Sequence, residues 1–198
     1  MSGTLITTIN IPAGQTMRGV YDTESGETNT VNGPGNFAPS SYTDNGTSIV
    51  NARVIGHAIF ADGLGANLEF AGYVGSGVSA YLNLNSTIVI DSPKEFHGTI
   101  GDMEQTIPRE GPFGEYVELK GLASATGYTL SANDLTLTIL GPGHSVLDRL
   151  HMTTEFGEGL ASATGAVNLD GGNVYLAFGY GIYREPGGTG AETPLPKV

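Results

Sequence analysis

Short apolar pieces broken by glycine dominate this chain, and no long periodic stretch is present. Leu5-Ile6-Thr7-Thr8-Ile9-Asn10-Ile11 is β-branched and partly alternating, which predicts a strand, and Pro12-Ala13-Gly14-Gln15 ends it as a turn. Residues 22 to 48 are polar, with Val31, Phe37 and Tyr42 scattered through them. A structureless loop of that length does not suit a compact domain, so very short strands with tight turns are expected there. From Ile49 to Ile90 the apolar pieces recur closely: Val54-Ile55, Ala58-Ile59-Phe60, Leu68-Glu69-Phe70, Tyr73-Val74, Val78 to Leu82 and Ile88-Val89-Ile90. Gly56, Gly63, Gly65, Gly72, Gly75 and Gly77 separate them. Strands this short are not stable alone and must stack on similar neighbours, as the coils of a solenoid do.

Pro93 to Arg109 is less regular. Ser92-Pro93-Lys94-Glu95-Phe96 predicts a single helical turn, with Ser92 as N-cap and Glu95 placed for a capping box. Beyond Gly114 the pattern is β again, at Tyr116 to Leu119, Tyr128 to Leu130, Leu135 to Leu140 and Val174 to Phe178. Asn133-Asp134 and Gly171-Gly172 read as hairpin or corner turns. Gly-Leu-Ala-Ser-Ala-Thr-Gly occurs at 121 to 127 and again at 159 to 165, which suggests two equivalent structural positions. The tail from Arg184 to Val198 has no period and is rich in Pro and Gly, which predicts a mobile end. The expected organisation is one β domain over 1 to 183 and a flexible tail over 184 to 198, with residues 1 to 12 available for exchange with a partner.

Composition sharpens this picture. The 31 glycines and 10 prolines leave little room for long helices. Charged residues make up only 14% against 39% hydrophobic, the reverse of a disordered chain. A net charge of -12 argues against nucleic acid and anionic membrane as partners, since both need clustered Lys and Arg. Cysteine is absent, which removes disulfides, thiolate metal sites and cysteine nucleophiles together. Met1 to Asn10 carries no Sec-type signal pattern, and no apolar run is long enough for a membrane helix.

Several motifs stand in a familiar order. Ile88-Val89-Ile90-Asp91-Ser92-Pro93 is followed by Phe96-His97-Gly98-Thr99-Ile100 and then Val117-Glu118-Leu119. Tyr128, Asn133-Asp134, Leu135-Thr136-Leu137-Thr138, Val146 to Leu150 and Gly171-Gly172 come after. Over about residues 82 to 178 this order resembles repeats of large bacterial adhesin-like surface and secreted proteins, of the autotransporter-passenger and type I-secreted kind. The resemblance implies a small right-handed parallel β-solenoid acting as stalk or scaffold; a β-sandwich or jelly roll is the alternative fold. The chain departs from those proteins in the long insertion Met103 to Gly114 and in lacking repetitive Gly-Gly-Thr coils in its first half.

Candidate chemistry is sparse. Asp91, Asp102, Glu104, Arg109 and Glu115 are the carboxylates and cation that a polysaccharide-cutting solenoid enzyme would gather, but spacing does not bring them together, and they read as solvated loop charge. His57, His97, His144 and His151 form no pair with metal-ligand spacing, although His144 and His151 can approach across a turn. Gly143 to Leu147 lacks the closing glycine of a nucleophile elbow. Asp62, Asp91, Asp102, Asp134 and Asp170 read as loop carboxylates without a cage, leaving room only for weak Ca2+ binding. Tyr73, Tyr81, Tyr175, Tyr180 and Tyr183 read as sheet-face aromatics that can also stack on sugars.

The sequence therefore predicts a structural protein, not an enzyme. The Leu5 to Ile11 strand has no charged guard, so it is expected to add to another copy of the chain, with Leu5, Ile6, Ile9 and Ile11 at the subunit interface. The expected product is a homopolymeric fibre or surface layer outside the cell, supporting biofilm or cell cohesion. The alternative is an adhesin or carbohydrate-binding module with cell-surface polysaccharide as partner. No cofactor is expected.

Overall fold

The computed structural model describes residues 6–83, 86–102, 115–131, 136–153, 167–170 and 172–178. Its strands follow one another round a coil. The first coil holds β1 (Ile6–Asn10) and β2 (Thr16–Thr23), and the second β3 (Thr28–Asn32) and β4 (Asn36–Asp44). The third holds β5 (Thr47–Val50), β6 (Arg53–Val54) and β7 (Ala58–Asp62). β8 (Asn67–Phe70) and β9 (Val78–Leu82) make the fourth, β10 (Thr87–Ile90) and β11 (Thr99–Asp102) the fifth. The result is a β-solenoid of about five turns.

Each strand pairs in parallel with the strand one turn away. One sheet stacks β1, β3, β5, β8 and β10, and the other stacks β2, β4, β7, β9 and β11. A narrow third face is built from single bridges that link Val54 to Val74 and Val74 to Phe96. Register fixes the repeat: Ser48, Leu68 and Ile88 stand opposite one another, as do Ile59, Ser79 and Thr99, so one turn takes twenty residues from the third coil to the fifth, while earlier partners such as Ile6 and Thr28 or Tyr42 and Phe60 lie 22 and 18 residues apart. Backbone bonds continue this ladder through the corners, from Asn51 N–H to the Val31 carbonyl (2.9 Å) and from Ala71 N–H to that of Val50 (3.0 Å). Turning such corners needs glycine where backbones crowd. Gly33 takes φ +122° as the chain leaves β3, where any side chain would run into the Ile11 carbonyl.

The interior follows from strand alternation. Val31, Val50, Phe70 and Ile90 line one sheet and Tyr42, Phe60, Ala80 and Ile100 the other, all enclosed. Val31, Phe37 and Tyr42, isolated apolar residues in a polar stretch, are all core, and β4 is longer than the very short strands expected there.

The far end departs from the parallel pattern. β12 (Glu115–Leu119) adds in parallel to β10, but β17 (Asn173–Phe178) pairs antiparallel with β12 and with β16 (Val167–Asp170). On the other sheet β15 (Val146–Thr153) lies parallel to β11, while β14 (Thr136–Leu140) and β13 (Gly127–Leu130) follow antiparallel. β16 and β17 pair as a hairpin with Gly172 in its turn at φ +104°, and Gly171 lies outside the described residues. The first Gly-Leu-Ala-Ser-Ala-Thr-Gly copy links β12 to β13, and the second lies outside the described residues, as does the tail. The helical turn forms as a 3-10 turn at Pro93–Glu95, but Ser92 makes no side-chain cap. The capping box is therefore absent: three residues are too few to leave the row of free N–H groups that such a cap satisfies.

Candidate functional site

Three places in this fold combine exposed or unsatisfied groups. The first is the opening coil. Among the described residues, β1 bonds only to β3 and β2 only to β4, so both sheets end there in a free strand edge. Interior columns that are sealed further along come to the surface at this end. Met17 continues the column of Phe37 and is 36% exposed; Tyr21 continues that of Tyr42 and Ile9 that of Val31, and both are half-buried. Val20 is 77% exposed. Of the expected interface residues, Ile6 and Ile9 lie in β1, and Leu5 lies outside the described residues. Ile11 is 2% exposed and its N–H donates to the Asn32 carbonyl (2.8 Å), so its side chain belongs to its own coil. Sequence reasoning missed Met17, Val20 and Tyr21, because nothing in a single strand says that it will be the last of a stack.

The second place is a groove of about 580 Å3 where β15 runs beside the 3-10 turn. Tyr73, Lys94, His97, Asp148, Arg149 and His151 line it, with Phe96 at its base. Arg53 sits over the Tyr73 ring (4.3 Å to its centre), and the His97 ring meets Tyr73 edge-on at 5.3 Å. Partial burial pushes the Asp148 carboxyl up, and the Arg149 N–H, Lys94 and His97 hold it down. His97 and His151 are brought together because Thr99 and His151 pair across β11 and β15. The expected approach of His144 to His151 does not define this groove: His144 lies in a separate 3-10 turn at φ +61° and is exposed.

The third place is inside the solenoid. Asp44 ends β4, Asp62 ends β7, and the two stand opposite each other one turn apart, both enclosed. Their column begins at Thr23 and passes on to Leu82, next to the Asp62 position. Around them is a hydroxyl cluster: Thr23 Oγ1 lies 2.9 Å from Tyr42 OH and 2.8 Å from Ser48 Oγ, and Asn29 Nδ2 donates to Thr23 Oγ1 (2.9 Å). Asp44 Oδ1 accepts from Gly46 N–H (3.0 Å), whereas Asp44 Oδ2, both Asp62 carboxylate oxygens and Asn29 Oδ1 have no well-formed hydrogen bond, the Ser48 and Ser86 hydroxyls standing beside the two carboxyls. Burial pushes the Asp44 carboxyl up to about 6, against the Gly46 N–H and the Ser48 hydroxyl. Burial and then the charge of Asp44 push Asp62 well above the usual range, against the Ser86 hydroxyl. Asp62 is thus a core residue and not the loop carboxylate expected. Its neighbour Gly63 donates to the Asp44 carbonyl, tying the turn down and turning the side chain inward.

The remaining candidates do not assemble into chemistry. Asp91 pairs with Lys120 (2.7 Å), which also reaches Glu69 (3.5 Å), a tie between neighbouring coils. Asp102 ends β11, Glu115 begins β12, and Glu104 and Arg109 lie outside the described residues. Tyr81 is buried, Tyr175 OH donates to Glu118 Oε1 (3.3 Å), and Tyr180 and Tyr183 lie outside the described residues. Among the described residues no three of His, Asp and Glu gather round one point, and no helix is long and apolar enough to cross a membrane. No family model, curated protein or solved structure matches this chain.

Proposed function

We propose that this protein is a structural subunit that assembles end to end with copies of itself, forming a fibre or layer of the kind that holds cells together outside the cell. The observation that carries this reading is the first coil, where two parallel sheets end at one level with free edges and interior side chains at the surface. A second chain can satisfy those N–H and C=O groups by adding strands, and can cover Met17, Tyr21 and Ile9 as each further coil covers the one before. The partner surface is the opposite end, where, among the described residues, β16 and β13 are the outer strands of the same two sheets. Head and tail differ, so the contact is heterologous and propagates into a filament unless it closes into a ring.

A charge on the free edge tests this. Thr8 is exposed on β1 and Val20 on β2. The double variant Thr8→Lys, Val20→Lys is expected to leave the circular dichroism spectrum unchanged and to convert assemblies into monomer by light scattering and negative-stain microscopy. A wild-type chain that is monomeric at high concentration, or fibres indifferent to both lysines, would sink the proposal.

The groove favours a second reading, a module that binds saccharide. Cation, imidazole and aromatic ring converge there in a chain with only 8 Lys and Arg. Binding of an acidic oligosaccharide should weaken about tenfold or more in Arg149→Ala and Lys94→Ala, as charge-assisted hydrogen bonds are lost. A titration in which neither variant differs from wild type would remove this reading and leave the assembly proposal untouched.

A further inference from the structure

We propose that the enclosed corner between Asp44 and Asp62 is a calcium site. Two carboxylates stacked in register one turn apart bring two negative charges into the interior, and among the described residues no ion pair involves either. Buried charges are retained where they are paired or coordinate a metal. Asn29 supplies a separate indication. Its amide is turned into the same corner, with Nδ2 on Thr23 Oγ1, and is 8% exposed, yet its Oδ1 has no partner. One corner therefore holds four acceptor oxygens without a well-formed hydrogen bond, Asn29 Oδ1, Asp44 Oδ2 and both of Asp62, and among the described residues the only donors acting on the two carboxyls there are the uncharged Gly46 N–H and the Ser48 and Ser86 hydroxyls. Unsatisfied acceptors at this density lack a positive centre, not a further acceptor.

The donor set selects the ion. It is all oxygen, with no imidazole or sulfur, which suits a hard cation and not zinc or copper. The two carboxylates match a divalent charge. Calcium accepts irregular arrangements of carboxylate, amide and hydroxyl oxygens, whereas magnesium demands an octahedron and keeps several waters, which an enclosed corner does not accommodate. The Ser48, Tyr42 and Thr23 hydroxyls stand in the same cluster, within hydrogen-bond distance of one another, and widen the supply of oxygens. Leu82 closes the column on the far side, so the site spans two turns and ties them together. Both carboxylates are enclosed, so the ion would be taken up as the coils close.

The experiment refolds the full chain from urea at neutral pH in EDTA, in about 1 mM Ca2+ or in the same Mg2+, and follows melting and bound metal. Calcium is expected to raise the melting temperature by several degrees with one ion retained per chain, and magnesium to do much less. Asp62→Asn should weaken calcium binding at least tenfold and abolish the shift, and Asn29→Ala should weaken it while leaving both carboxylates in place. If wild type shows no calcium-dependent shift, or if the Asp44→Asn, Asp62→Asn double variant shows the same shift as wild type, the proposal fails. The first result would mean that protons alone settle this corner, the second that calcium binds only the acidic surface.

Discussion

In buffer free of divalent ions, Asp62→Asn should make this protein more stable at pH 7.5 and flatten its dependence on pH. A carboxyl whose pKa is higher in the folded chain than in the unfolded one binds its proton more tightly when folded. Its favourable contribution is complete below the unfolded value, 3.8, and is lost as pH rises through the folded value. For Asp44 that window runs from 3.8 to about 6, worth about 3 kcal/mol at 1.36 kcal/mol for each pH unit. Asp62 is also raised well above the usual carboxylate range, so its contribution is lost in the same direction as pH rises. Among the described residues the groups facing the pair are Tyr42, Ser48, Thr23, Asn29, Ser86 and the Gly46 N–H, none of them cationic, so only neutral donors act against the two charges. Wild-type urea midpoints should therefore rise on acidification from pH 7.5 to 5, opposite to the usual acid destabilisation. An amide at 62 removes the like charge and offers Asp44 Oδ2 a donor. At pH 7.5 the gain should exceed about 1 kcal/mol, the usual net worth of a buried hydrogen bond. A wild type that weakens steadily from pH 7 to 5, or a variant with the same slope, would show that these carboxyls are not enclosed as described.

The short-strand pattern made the fold class legible, and the reason is physical. Pieces such as Val54-Ile55 and Leu68-Glu69-Phe70 are too small for anything but stacking, and the glycines between them admit no helix. The length of the turn was not legible, because a coil conserves position and neither residue type nor strict spacing: Ser48, Leu68 and Ile88 share one column at intervals of twenty, and Tyr42, Phe60 and Ala80 another at 18 and then 20. The exact heptapeptide repeat was the louder signal, but its first copy lies beyond the fifth coil, between β12 and β13, and its second lies outside the described residues. Asp44-Asn45-Gly46 and Asp62-Gly63 have the chemistry of surface turns. Only the register, which places each aspartate at the inward phase of its strand, turns them into core residues. The antiparallel end was half legible, since Gly171-Gly172 announced a turn but not the reversal of β17 against β12. His97 and His151 share a groove only because β15 returns to β11 after a long excursion, a pairing that no local spacing encodes.

Phe60→Ala should be the most damaging single truncation and should loosen the middle of the solenoid before its far end. Phe60 is completely enclosed and is the junction of an aromatic chain. Its ring stacks on Tyr42 at 5.4 Å, meets Phe70 edge-on at 5.0 Å and Phe37 at 6.3 Å, and Phe70 passes the contact to Phe96 at 5.6 Å. Tyr42 and Phe70 come from opposite sheets, so Phe60 is what the second, third and fourth coils share across the interior. Its column neighbour one turn on is Ala80, too small to fill the void, and the backbone ladders on either side keep the strands from closing in. Loss of a core phenylalanine with an unrelaxed cavity costs about 3–5 kcal/mol, a large part of the stability of a domain this size. Each coil touches only its neighbours, so the damage should be graded along the axis. Amide exchange should quicken most in β4, β7 and β8 and least in β14 and β15, with a lower urea midpoint overall. Uniform acceleration to the far end would mean that the solenoid opens as one unit. A cost below about 1 kcal/mol, far short of the value for a sealed site, would mean that the ring chain is not closed around position 60.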